Sequence, residues 1–235
     1  TLVKDIIASD GGITVETTTG NLLSKYLINC AGLYADVVAD MITPGQNTRI
    51  VPFRGDYYML SHSARSLVNG LIYPVPDPRF PFLGIHFTSR INGEVEVGPN
   101  AMLAFAREGY RVSDFNIEEL FMTVSFPGFW SMASRYWRMG MQEFFRSVNK
   151  TAFLNSAKRL IPEINATDLG FKGSGVRAQA IDRDGRLLDD FSIDRSRYAI
   201  NVRNAPSPGA TASLAIGRDI VRIAENTFGL DDHKD

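Results

Sequence analysis

The sequence predicts an α/β chain interrupted by an α+β segment, with one domain inserted into the other. Three observations predict it. A short apolar strand, Tyr26 to Cys30, runs straight into Ala31-Gly32 and a helical segment, the texture of a buried parallel sheet. From Arg49 the texture changes to long strands followed by helices, as in an antiparallel sheet with a helical layer. Strand and helix of the first kind then return near the C-terminus. The expected outer domain is 1–48 with 168–235, and the expected insert is 49–167.

Composition sets the limits. The 235 residues, 44% hydrophobic, suffice for one large core or two modest ones. A formal net charge of -1 offers no global electrostatic case for nucleic acid. The single cysteine, Cys30, excludes an intrachain disulfide and fits a reducing compartment. No apolar run approaches the roughly 18 residues needed to span a membrane. The chain enters strand-like sequence directly at Thr1-Leu2-Val3-Lys4, so it is expected to be a piece of a longer protein.

The elements follow in order. Ile6-Ile7-Ala8, the turn Ser9 to Gly12 and Ile13 to Thr17 read as strand, turn, strand. A second turn at Gly20-Asn21 leads to the Tyr26 strand, and a helix over Asp36 to Met41 stops before Pro44-Gly45. Strands are expected at Val51–Leu60, Leu71–Pro74, Phe82–Phe87 and Glu94–Val97, with Asn92-Gly93 as a hairpin turn. Pro74 to Pro81 must be a stiff, non-helical excursion. Asn116 with Glu119 three residues on predicts a variant capping box, opening a helix on Ile117, Leu120, Phe121 and Val124. Pro127-Gly128 breaks that pattern, and a longer helix carries Trp130, Trp137, Met141, Phe144, Phe145 and Val148 on one face. A third runs from Ala152 to Ile161. Strand character returns at Phe171, Val176, Leu187-Leu188 and Ala199 to Val202. Ser207-Pro208 reads as the N-cap and first residue of a last helix, closed by Gly229. The tail 231–235 is expected to fray.

Several residues invite chemistry, each beside a plainer alternative. The Asn29 to Gly32 turn lets backbone approach a ligand at the carboxyl end of a sheet, although any tight strand-to-helix turn needs small residues. The Ser207 to Thr211 segment, read as a helix start, favours developing negative charge, or is an ordinary capped end. Arg177, in Gly173-Ser174-Gly175-Val176-Arg177, suits a bidentate clamp on a carboxylate, or a surface ion pair. His86, on an alternating strand with Gly84 and Thr88, has the pKa to accept an alcohol proton, or is a hydrogen-bonded structural residue. Arg54 is a second cation or the ion-pair partner of Asp56. The other histidines, His62 and His233, lie in loop and tail sequence, so no metal site is expected. The aromatic and arginine-bearing stretch 126–146 reads as core packing or as a face for a membrane interface.

Read together, these segments are recognisable. Ile28 to Asp36 (INCAGLYAD) resembles the second FAD-contacting turn of the D-amino-acid-oxidase-like flavoproteins. Val51–Tyr58 (VPFRGDYY), Leu71–Phe82 (LIYPVPDPRFPF), Gly84–Thr88 (GIHFT), Glu94–Ala101 (EVEVGPNA), Ser174–Gln179 (SGVRAQ) and Asn204–Gly217 (NAPSPGATASLAIG) resemble the L-2-hydroxyglutarate dehydrogenase/oxidase branch. The resemblance covers nearly the whole chain. It implies an FAD/NAD(P)-binding (Rossmann-like) domain, incomplete here because the sequence holds no GxGxxG, with an inserted antiparallel-sheet-plus-helices substrate domain. It implies FAD as cofactor, with Ala31, Gly32 and Ser207, Pro208, Gly209, Ala210 and Thr211 on the cofactor side. Arg177 would pair with the substrate carboxylate, His86 would accept the hydroxyl proton, and Arg54, Tyr57 and Tyr58 are further substrate-side candidates. The implied reaction is oxidation of L-2-hydroxyglutarate by hydride transfer to flavin N5, with O2 or a quinone as electron acceptor. Oxidation of glycerol 3-phosphate or an amino acid, or a non-catalytic fragment, are the alternatives. The implied location is cytoplasmic, or peripheral on an inner membrane, mitochondrial in a eukaryote.

Overall fold

A computed structural model describes residues 1–45, 47–75 and 84–230, without the side chains of Phe171 and Lys172. The chain divides into two compact units, Thr1–Ile50 with Ala178–Asp235, and Val51–Arg177. The second crossing lies later than the expected 168, because one uninterrupted strand runs from Leu169 to Asp182.

The first unit opens on three antiparallel strands, β1 (Val3–Ser9), β2 (Gly12–Thr17) and β3 (Gly20–Ser24). The turn expected at Gly20 is therefore the start of a third strand, paired to β2 from Thr17↔Gly20 to Ile13↔Ser24. β4 (Leu27–Asn29) leads through a short 3-10 turn into α1 (Ala35–Ile42).

The second unit is built on β5 (Thr48–Leu60), β6 (Leu71–Ile72), β7 (His86–Ser89), β8 (Val95–Gly98), β9 (Met102–Leu103) and β10 (Leu169–Asp182). The sheet order is β10-β5-β8-β7-β6, with β9 also on β5. Three helices follow β9: α2 (Ile117–Val124), α3 (Pro127–Val148) and α4 (Lys150–Ala157). One face of the sheet packs its core. Tyr58, Leu60, Phe87, Val95 and Val97 are buried against Phe153, Leu154 and Ala157 of α4 and Ile161 and Ile164 beyond it. Because strand side chains alternate, the odd residues of β5 and the even residues of β7 and β8 turn to the opposite face.

Two local expectations change. Asn116 does cap α2, accepting from the amides of Glu118 and Glu119, but Glu119 does not return the bond. Its Oε2 accepts from the Arg107 amide at 2.6 Å instead, and the Asn116 amide is taken by the Phe105 carbonyl. As expected, α2 stops ahead of Pro127 and a longer helix follows; Pro127 is itself the first residue of α3, where its missing N–H is harmless. Core packing of the α3 aromatic face is also corrected. Trp130, Trp137, Met141, Phe144, Phe145 and Val148 are exposed, and α3 buries Phe129 and Met132 instead.

The first unit is completed by β11 (Ser192–Arg195), β12 (Ala199–Asn204) and α5 (Ser213–Phe228). β12 lies between β11 and β4, antiparallel to the first and parallel to the second, with Leu27↔Ala199 and Asn29↔Asn201 in register. Its alternate residues feed two cores. Ala199 packs with Ile6, Ile13 and Val15 of the meander, and Ile200 and Val202 pack with Ala224 and Phe228 of α5. This layering is that of an α/β domain with both sheet faces covered. The strand start at Phe82, the proline-rich excursion through Pro81 and the tail 231–235 lie outside the described residues.

Candidate active site

In the first unit, two strand ends meet. Asn29 is 4% exposed and spends its whole amide locally: Nδ2 donates to the Ala35 carbonyl and to Asn201 Oδ1, and Oδ1 accepts from the Ala31 amide. This pins the turn in which Ala31 and Gly32 are both exposed. Gly32 has φ +57°, and an added Cβ would meet nothing within 4 Å, so the backbone there borders open space. Asn201 Nδ2 beside it is buried without a partner.

The expected helix at Ser207 is corrected. Ser207–Pro208 is a cis peptide, the Pro208 and Ala210 carbonyls accept from the Ala212 and Ser213 amides in successive turns, and α5 starts only at Ser213. A residue preceding proline is steered away from helical backbone, and Ser207 has proline on both sides. Ser207, Pro208, Ala210 and Thr211 are exposed, and Gly209 is half-buried. Two exposed small-residue backbone segments and an orphaned amide donor fit the flat, hydrogen-bonding part of a cofactor such as FAD. The nucleotide half has no GxGxxG to hold it in this sequence.

In the second unit, chemistry collects on the sheet face opposite α4. His86 of β7 is half-buried and stacked on Tyr73, with ring centroids 4.3 Å apart and planes 19° from parallel. Its Nδ1 is buried without a hydrogen-bond partner. Burial lowers the His86 pKa from 6.5, while the Gly84 backbone and the Glu96 carboxylate pull the other way. The balance favours the neutral imidazole. The residue across the ladder from His86 is Gly98. It has to be glycine, because φ is +146° and a Cβ would strike the Asp56 carbonyl at 2.6 Å.

Tyr57 looks onto the same face. Burial raises its phenol pKa, helped by Glu96 and Tyr73 and opposed by Arg90. Together with Met59, Arg90, Glu94, Glu96, Gly173 and Ser174 it lines a cleft of about 730 Å³. A Cβ at Gly175 would meet the Tyr57 ring at 3.8 Å, so Gly175 points to this face. Strand alternation along β10 then puts Arg177 on the same side, and its side chain is exposed.

Two substrate-side candidates are corrected. Tyr58 is 7% exposed, packed edge-on to Phe153 at 4.7 Å on the α4 side of the sheet. Arg54 is 2% exposed, with Nη2 3.2 Å from Asp56 Oδ1 and 2.9 Å from Ser147 Oγ. Ser147 in turn donates to Asp56. This guanidinium neutralises a buried acid and is out of a substrate's reach. The structure also brings forward Tyr73, Arg90 and Glu96, which spacing did not single out. Among the described residues, no group of three His, Cys, Asp or Glu side chains is arranged to hold a metal ion.

The model of the DAO family, FAD dependent oxidoreductase, matches residues 1–223. The chain is 53% identical over 215 residues to an L-2-hydroxyglutarate dehydrogenase of Indibacter alkaliphilus, covering 91% of this chain and 54% of that protein. It is 47% identical over 211 residues to a mitochondrial L-2-hydroxyglutarate dehydrogenase of Nematostella vectensis, covering 88% and 46%. The chain therefore spans about half the length of these relatives. Among solved structures, FAD-bound L-alpha-glycerophosphate oxidase from Mycoplasma pneumoniae aligns over 94% of this chain and 49% of its own. Its TM-score is 0.64 at 22% identity, a likeness of fold.

Proposed function

We propose that this chain, which belongs to the FAD dependent oxidoreductase family, is the substrate-side part of an enzyme that oxidises L-2-hydroxyglutarate to 2-oxoglutarate. FAD, when bound, supplies the two-electron acceptor; Ala31, Gly32 and the Ser207 to Thr211 segment are the backbone that would border it. Arg177 takes one substrate carboxylate in its guanidinium fork, which fixes the orientation of the neighbouring carbon. His86 accepts the hydroxyl proton as the alcohol becomes a ketone. Tyr57 borders the same sheet face as a hydrogen-bonding wall. The observation that carries the reading is a half-buried histidine stacked on Tyr73, on the sheet face to which strand alternation also assigns Arg177, in a chain about half identical to proteins named for this substrate.

The test is an assay of the FAD-loaded, full-length enzyme with a dye acceptor on L-2-hydroxyglutarate, glycerol 3-phosphate and an amino acid. Clear preference for the first is expected, and equal or better oxidation of another overturns the substrate reading.

The exposed α3 face favours a second element of function. Trp130, Trp137, Met141, Phe145 and Val148 form a stripe flanked by Arg135 and Arg138, suited to the interface of an anionic bilayer and to handing electrons to a quinone rather than O2. No helix among the described residues is long and apolar enough to cross a membrane. Contact would be peripheral, on an inner membrane and mitochondrial in a eukaryotic host, as the relative from Nematostella is named. Co-sedimentation with anionic vesicles, lost in Trp130→Ser/Trp137→Ser, is the expected behaviour; no binding by the parent chain removes this element.

A further inference from the structure

We propose that Tyr73 and Glu96 are positioning residues for His86, the tyrosine clamping the imidazole plane and the glutamate facing the cation that forms when the ring takes a proton. Both roles rest on the reading of His86 as proton acceptor, and both lie within the second unit.

The ladder places the tyrosine. β6 and β7 pair Leu71 with Thr88 and Ile72 with Phe87, and one further step sets Tyr73 across from His86. On the other side the cross-strand neighbour is Gly98, which has no side chain to pack. The imidazole therefore has one aromatic wall, and Tyr73 supplies it at 4.3 Å and 19°. Tyr73 itself remains 47% exposed. An aromatic left half in water while covering one ring of a polar side chain contributes little to a core; it holds that ring in one orientation and shields a face from solvent.

The glutamate is placed by β8. Thr88 pairs with Glu96, and Thr88 and His86 share a face, so Glu96 is the diagonal neighbour of His86. Its carboxylate is held by Arg90 Nη2, with side chains 17% and 49% exposed. Arg90 anchors Glu96 and partly offsets its charge, but its cation is the more solvated of the two. Among the described residues, the other ionisable groups turned to this face are Tyr57 on β5, Glu94 beside the hairpin turn and Arg177 on β10. Glu96 is the acid whose charge reaches His86 against the effect of burial. Burial keeps the resting ring neutral, ready to accept, and Glu96 lowers the cost of the imidazolium once formed.

The test is a side-chain NMR titration of the full chain, whose three histidines are few enough to follow, with the His86 signal identified by its loss in His86→Gln. The His86 midpoint is expected below 6.5 in the parent chain. Glu96→Gln should lower it further, Tyr73→Leu should raise it as water reaches the ring, and Tyr73→Phe, which keeps the stack, should leave it in place. A midpoint unmoved by Glu96→Gln overturns the role of Glu96, and Tyr73→Leu titrating like Tyr73→Phe overturns that of Tyr73. If Tyr73→Leu does not fold, Tyr73→Trp replaces it, with a ring still stacked and an unmoved midpoint expected; a raised midpoint there counts against the clamp. Turnover is a separate readout. Undiminished kcat in full-length His86→Ala sinks the proton-acceptor reading while leaving the titration result standing.

Discussion

His86 sits between two opposing pressures, burial that removes its proton and a carboxylate that welcomes it back. A base must be unprotonated to act. The acid limb of kcat/KM in the full-length enzyme is therefore expected to fall away only below the ordinary histidine value of 6.5. Stability follows the same sign: the folded ring binds fewer protons than the unfolded one, so stability declines as pH drops below 6.5. A limb centred above 6.5 contradicts the environment described. Arg177→Lys should raise KM and reduce kcat/KM by roughly ten- to a hundredfold, the worth of one charge-assisted bond that an ammonium cannot duplicate. Unchanged kinetics would take Arg177 out of the site. Glycines and alternation are what single out His86 and Arg177 in the sequence, and their roles remain proposals. For Arg54 the sequence offered both a substrate-side cation and a partner for Asp56, and the structure shows the ion pair; its face depends on the parity of β5. Arg54 and Asp56 occupy the core face beside Tyr58, so charge there inverts the usual in-out pattern, and only their mutual pairing makes it tolerable.

At the scale of elements, that pair ties β5 to the end of α3 through Ser147. Arg54→Ala strands the Asp56 carboxylate and is expected to cost about 3–5 kcal/mol, read as a drop in the urea midpoint of the full chain. A loss under about 1 kcal/mol would mean that water repairs the site. Helix types and most strand positions were readable from period and turn chemistry, as with α1, α2 and the β7–β8 hairpin. Ends were less so. The start of α5 was misread because Ser-Pro mimics a cap in sequence, whereas the flanking prolines direct the backbone into turns up to Ser213. The face of α3 carries two readings in the sequence, because an apolar stripe at helical spacing looks the same whether it meets a core or a solvent boundary; the exposed stripe removes the first. Tyr73 and Glu96 were invisible for a different reason: each acquires meaning only from the register of a neighbouring strand.

Across the whole molecule, the inserted plan was legible from the change of texture at Arg49, and the later crossing was not, since β10 is continuous through it. The missing GxGxxG also has a measurable counterpart. In equilibrium dialysis the 235-residue chain alone is expected to hold FAD far more weakly than a full-length relative, because the pyrophosphate contacts of that motif are absent from its sequence. Equal affinity would show that the backbone around Gly32 and Ser207 suffices.

The central position of β12 carries a consequence for biosynthesis. Asn29 bonds to Asn201 across 172 residues of chain, and β12 is buried along its whole length. The second unit, by contrast, is one uninterrupted stretch, Val51–Arg177. On the ribosome the insert can therefore close while the first fifty residues still wait for their central strand to be made. A chain stopped after Ser196 is expected to protect β5, β7 and β8 amides from hydrogen exchange and to leave β4 unprotected. Protection of β4 in that truncated chain would mean that the early strands had found a different partner, which is the misfolding hazard such a delayed strand creates.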